Sequence, residues 1–340
     1  MTLLTRRRFA VAAAGMASML ASPFVAPGLQ TAQARAADLG KAARAFTRLR
    51  TVQVQRGDDL VLAETLQGPG LNRAANIKSC SKSIVALLLG IAIDRNEVPG
   101  VDAPLIEVAP GLVPPDATPG VERLTLQDLV TMRAGLESTS GRNYGAWVNS
   151  RDWVGHALRR PMVARPGGRM VYSTGSTHVL GAALAEAAGA SLLSQARSRL
   201  GEPLGIDIPG WTRDPQGFYL GGNQMALTPQ AMLRIAATVR DRGRFGGVQV
   251  VPRHWIEASA QPRTRSPWSG LGYGYGWFLS KTGYMIARGY GGQIIAAHPE
   301  RDLAVAITSD PDRPARSQGY FGELMAFLDG PVLQAAQARS

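Results

Sequence analysis

The sequence predicts an α/β chain of the α+β type: an antiparallel sheet built from both chain ends and flanked by helices, with a mostly helical domain inserted between them. Three observations carry this. Alternating, turn-bounded segments occur at 51–64 and return after about residue 247. Helix-like runs fill the middle of the chain. Finally, 340 residues with 45% hydrophobic content can bury a core of that size. The expected organisation is a leader over 1–34, a sheet domain from 38–105 and 243–330, and a helical domain over 106–242.

At the amino terminus Thr5-Arg6-Arg7-Arg8-Phe9 precedes an uncharged stretch from Ala10 to about Gln33, with Ala32-Gln33-Ala34 as a small-residue cleavage site. That is the pattern of a twin-arginine export signal, and it predicts a periplasmic protein. Pro23, Pro27 and Gly28 interrupt the apolar stretch, which argues against a membrane-anchor helix. No later segment is long and apolar enough to span a bilayer. A helix is expected from Asp38 to Arg50, then a β-hairpin over Thr51–Glu64 turning at Gly57-Asp58.

The apolar block Ile84–Ile93 lacks strand-like alternation and is rich in Ala and Leu, so it predicts a buried helix. A Pro/Gly-rich segment over 99–120 marks a boundary. After it, Thr125-Leu-Gln-Asp128 opens a helix with a capping-box start, which Met132-Arg-Ala-Gly135 closes. Further helices are expected over 152–160, 175–199 and 228–242. Strands then follow at Gly272–Leu279, Tyr284–Ala287, Gln293–Ala297 and Leu303–Thr308, as an antiparallel meander closed by a helix over 317–328.

The formal charge of +12 is mostly arginine, and no basic run interleaved with aromatics appears in the body, so nucleic-acid binding is not expected. Cys80 is the only cysteine, which excludes an internal disulfide and a cysteine-based metal site. His156, His178, His254 and His298 stand in neither a Gly-x-Ser-x-Gly nor a His-Glu-x-x-His context. Neither an α/β-hydrolase triad nor a zinc site is supported, and nothing points to a metal or organic cofactor.

The chemistry-bearing stretch is Lys78-Ser79-Cys80-Ser81-Lys82, leading into the apolar helix. Ser79 and Lys82 share a face at i, i+3. A serine hydroxyl needs a base, and a lysine can be one when burial, a neighbouring cation such as Lys78, or a helix N-terminus destabilises its ammonium. Only four of the 37 basic residues are lysines, and arginine cannot act as a base. On these residues alone two readings stand, a catalytic pair or an N-cap serine with a solvated lysine.

With Ser79-Cys-Ser-Lys82, Leu124–Leu136, Pro166-Gly167 leading to Tyr172-Ser-Thr174, and the block Tyr273–Pro299 in this order, the chain resembles the serine hydrolases related to class C β-lactamases and penicillin-binding proteins. Esterases and 6-aminohexanoate-dimer hydrolases belong to the same group. The resemblance implies Ser79 as nucleophile, Lys82 as its partner and Tyr172 as proton shuttle, its phenolate stabilised by the Lys82 ammonium. It places the third motif at Tyr290-Gly291-Gly292-Gln293, while Lys281-Thr-Gly283 reads as a hairpin turn. The implied oxyanion hole uses the Ser79 and Gln293 amides, and Thr174, Tyr290, Gly291 and Gly292 are the implied substrate-binding residues.

Thr174 and Tyr290 depart from the asparagine and lysine of β-lactamases. The missing cation favours a neutral ester first, a linear amide second, and β-lactam or D-amino peptide chemistry third. The partner expected is thus a small ester or amide; a catalytically silent envelope protein binding a glycan or peptide is the competing reading. Tyr144, Trp147, Trp153 and Trp268 are candidates for an acyl pocket or for the core.

Overall fold

The computed structural model describes residues 27–336, with side chains from residue 33. The twin-arginine motif lies outside the described residues. Helix α1 runs Pro27–Arg44 rather than from Asp38 to Arg50, because Leu49 and Arg50 are drawn into the first strand. That strand, β1 (Leu49–Arg56), turns at Gly57, which sits at φ +54°, into β2 (Asp59–Thr65). The Ser-x-x-Lys segment forms one 3₁₀ turn, Lys78–Cys80, and then α2 (Ser81–Asp94). The two long helices of the middle region are α3 (Thr174–Ala187) and α4 (Pro229–Arg240).

The carboxyl-terminal strands are β3 (Thr264–Arg265), β4 (Gly272–Tyr273), β5 (Phe278–Leu279), β6 (Met285–Gly289), β7 (Gln293–His298) and β8 (Leu303–Ser309), followed by α5 (Tyr320–Phe327). The eight strands make one antiparallel sheet, ordered β2-β1-β8-β7-β6-β5-β4-β3. The amino-terminal hairpin therefore pairs with the last strand, as the composition of the two chain ends predicts; Val52 faces Ile307 and Val54 faces Val305 across that junction.

Period-two alternation splits the central strands between two cores. Ala287, Ile295, Ala297, Ala304 and Ala306 face α2, α4 and Trp255. Ile286, Ile294, Ala296, Val305 and Ile307 face α1 and α5. Both faces are covered, so these strands read as continuous apolar runs. The three small residues Ala297, Ala304 and Ala306 let α4 lie close to the sheet.

Helix α2 is buried from Ser81 through Ala92. Its Gly90 is required by space, since a Cβ there would meet the Trp255 ring. Segment 272–279 is not the single strand that its alternation suggests. It is a hairpin, β4 and β5, whose turn residue Gly276 takes φ +77°, abuts Ala86, and gives its carbonyl to the Ser83 hydroxyl at 2.6 Å. In this way the sheet and the serine-bearing helix are locked together. The helix opened by Thr125 carries the expected capping box with Asp128, but ends at Val130, before Met132.

Candidate active site

Ser79 is set by its neighbours before it is set by the helix. Lys78 adopts φ +52°, a left-handed conformation uncommon outside glycine. Its N–H donates to Asn76 Oδ1 at 2.9 Å, and its carbonyl accepts from the Ser81 hydroxyl at 2.6 Å, so the strained residue is tied at both ends. The turn packs on the end of β6, where Gly289 abuts the Ile77 carbonyl so closely that a Cβ would collide with it.

Lys82 is buried, and its Nζ has three acceptors: Ser79 Oγ at 3.0 Å, Thr174 Oγ1 at 3.2 Å and the Gly222 carbonyl at 2.6 Å. None is an anion. Burial therefore dominates, and the ammonium is destabilised to a pKa of about 7. The cause is desolvation, and Lys78 has no part in it. Thr174 is itself held by Ser140, whose hydroxyl accepts from the Thr174 N–H at 2.9 Å and lies 2.9 Å from Thr174 Oγ1.

Tyr172 lines the same cleft as Ser79 and stacks on Phe278, with ring centroids 6.3 Å apart. The sequence-based expectation that the Lys82 ammonium would make this phenol acidic is not met. Lys82 Nζ lies over the ring face, 5.1 Å from its centroid, and burial pushes the phenol up to about 12. The Tyr172 ring, Ser79 and the Lys82 amine nonetheless lie side by side at one cleft, with the base strength on the lysine and the proton on the tyrosine.

A cleft of about 210 Å³ opens beside Ser79, lined by Tyr172, Trp268, Phe278, Arg288, Tyr290 and Phe321 among others. Of the four aromatic candidates only Trp268 lines it. Trp147 and Trp153 are core residues packed against His178, and Tyr144 accepts from the Asn223 amide at 3.1 Å.

Four implied site residues sit elsewhere. Thr174 is a partner of Lys82 and not a lining residue. Gly291 and Gly292, at φ +87° and +103°, face Asp310-Pro311 and the Tyr320 ring, so they serve a tight turn and close packing in place of a substrate cradle. Gln293 stands opposite Gly289 in the β6–β7 ladder. Its side chain is clamped on the Ser309 backbone (2.9 and 3.2 Å), its carbonyl accepts the Cys80 thiol at 3.5 Å, and it does not line the cleft. By contrast, the backbone N–H groups of Ser79 and Tyr290, both lining residues, have no protein acceptor among the described residues.

Lys281-Thr-Gly283 is the expected turn: Thr282 donates to Asp329 at 2.6 Å, and its carbonyl lies 2.7 Å from His298 Nε2. Sequence reasoning missed three residues. Gly222 and Ser140 lie in loops without pattern, and Arg288 looks like an ordinary polar residue in a short strand. No cluster of three or more His, Cys, Asp or Glu side chains able to hold a metal occurs among the described residues. No single helix among them is long and apolar enough to cross a membrane.

An eight-stranded antiparallel sheet, a serine and lysine one turn apart and a tyrosine meeting them define a serine-hydrolase class of fold. A sequence model of the β-lactamase family matches residues 52–325, and the chain belongs to that family, whose members are serine hydrolases such as esterases and amidases. A protein assigned as a 6-aminohexanoate-dimer hydrolase, from Bacillus anthracis, superposes with a TM-score of 0.71 at 16% identity, over 85% of this chain and 79% of that one. EstCE1, a hydrolase with promiscuous acyltransferase activity, gives 0.70 at 16% identity, over 91% and 99%. A penicillin-binding protein from Bacillus halodurans gives 0.66 at 13% identity, over 85% and 98%. These likenesses are of fold. No curated protein matches the sequence.

Proposed function

We propose that the chain is a periplasmic serine hydrolase that cleaves an ester, or secondarily a linear amide, through a covalent acyl-enzyme. The observation that carries this is the 3.0 Å contact between Lys82 Nζ and Ser79 Oγ, made by an amine whose burial lets it shed its proton near neutral pH. Neutral Lys82 takes the hydroxyl proton as Ser79 attacks the acyl carbon. The unpaired N–H groups of Ser79 and Tyr290 receive the developing oxyanion, in the role that the motif pattern implies for Ser79 and Gln293.

Tyr172, held protonated by its burial, gives its proton to the leaving group, and the proton stored on Lys82 restores the phenol. Water then releases the acyl group by the same traffic in reverse. The Arg6-Arg7-Arg8 leader supports export to the periplasm. The test is labelling with a fluorophosphonate together with turnover of a nitrophenyl ester. The full chain labels and turns over; Ser79→Ala does not label, and its turnover falls by about 10⁴ or more. A wild-type chain that stays unlabelled favours the envelope-binding reading.

A further inference from the structure

Arg288 is a buried guanidinium, 8% exposed, in the wall of the same cleft as Ser79 and Tyr172. A guanidinium has five N–H donors. This one donates once, from Nη2 to the Ser317 hydroxyl at 3.3 Å, and otherwise lies over the rings of Phe321 and Phe278, 3.9 and 5.1 Å from their centroids. No Asp or Glu among the described residues pairs with it, and the lining of the cleft contains no acidic side chain. Lys82, by comparison, has an acceptor for each of its three donors.

A cation taken out of water without a counter-charge is costly, and a methionine or leucine at 288 would fill the space between two phenylalanines without that cost. The remaining donors open on the cleft, because none of its nitrogens is among the buried polar atoms that lack a partner. Arginine is also the side chain whose fork fits a carboxylate at two points. Its position, two residues before Tyr290, lies just outside the third motif, Tyr290–Gln293, where the missing lysine suggests a neutral substrate.

From this we infer that the substrate carries a carboxylate, bound by Arg288, with its apolar portion against Trp268, Phe278 and Phe321. The inference rests on the hydrolase reading and names the substrate class that the cleft selects.

The test compares esters matched in shape and differing in charge: mono-4-nitrophenyl adipate against 4-nitrophenyl hexanoate, with the anion on the acyl side, and 4-acetoxybenzoate against 4-acetoxybenzamide, with it on the leaving group. In one of the two pairs, kcat/KM after correction for spontaneous hydrolysis favours the anion by at least about tenfold, mainly through KM, and in Arg288→Gln the ratio collapses towards that of the other pair. Arg288→Lys, which keeps a point charge without the fork, restores part of the preference. Binding of adipate monoanilide to Ser79→Ala, with hexananilide as the neutral control, reads the same site without catalysis. An anion preference that survives in Arg288→Gln, or equal treatment of both esters in both pairs, overturns the inference and leaves the hydrolase reading standing. If no ester is cleaved yet monoanilide binding still needs Arg288, the hydrolase reading falls and the anion site stands.

Discussion

Lys82 and Arg288 are both buried cations at the Ser79 cleft, and the protein treats them in opposite ways. Lys82 is surrounded by neutral oxygens from Ser79, Thr174 and Gly222, which hold the nitrogen in place without stabilising its charge as a carboxylate would. Its proton is therefore loose near pH 7. Arg288 is sandwiched by aromatic rings and one hydroxyl, and burial lowers it only to about 10, so it stays charged at any pH at which the enzyme would work. The difference teaches that burial alone does not decide a cation's role; the intrinsic pKa decides whether the same desolvation makes a base or a fixed charge.

Exchanging the two chemistries breaks the comparison most completely. Lys82→Arg keeps a cation in place but removes the titratable amine, and kcat/KM for a nitrophenyl ester is expected to fall by about 10²–10⁴. The sign of the pH dependence follows from the same shift. The base is inactive when protonated, so wild-type kcat/KM climbs with a slope of one through an apparent pKa near 7 and then stays flat, since Tyr172 keeps its proton up to about 12. Stopped-flow profiles from pH 5 to 10 show that limb for wild type and lose it in Lys82→Arg. A limb that persists in the variant would assign the titration to another group.

Tyr172→Phe keeps the stack on Phe278 but removes the proton donor, and is expected to cost about 10² in kcat on an ester with a poor alkoxide leaving group. With 4-nitrophenolate, which needs no proton, the loss shrinks; that contrast separates a donor from a merely structural tyrosine. The smallest effect sharpens the picture of Lys82. Thr174→Val removes one acceptor from its Nζ and thereby disfavours the ammonium further, so the acidic limb moves to lower pH while the plateau rate falls by less than about tenfold. A shift to higher pH would contradict the account of why the amine is loose.

The fold was largely legible because its signals are local. The Thr125–Asp128 capping box, the Gly57 turn and the alternation of the last strands each depend on a few neighbouring residues. The nucleophile and lysine were legible for the same reason, being one turn apart. What the sequence hid depends on distance along the chain. The Gly222 carbonyl reaches Lys82 from 140 residues away, and a carbonyl has no letter of its own in a sequence. Gln293 looks like a site residue beside two glycines, but the ladder places it against Ser309. Arg288 was invisible because strand alternation marks which residues share a face but not whether that face opens on a cavity. The 272–279 hairpin was missed because its three glycines continue the alternating pattern through a turn.

The lone thiol has a practical side. Cys80 is fully buried next to the nucleophile, donates to the Gln293 carbonyl, and is pushed by desolvation well above the ordinary thiol range, so almost none of it is thiolate. Thiol-selective reagents therefore meet no reactive cysteine in the folded protein. A cysteine introduced on the rim, at Trp268 or Tyr290, becomes the single attachment point for a fluorophore or spin label, and occupancy of the cleft can be followed optically without first stripping the chain of background sulfur.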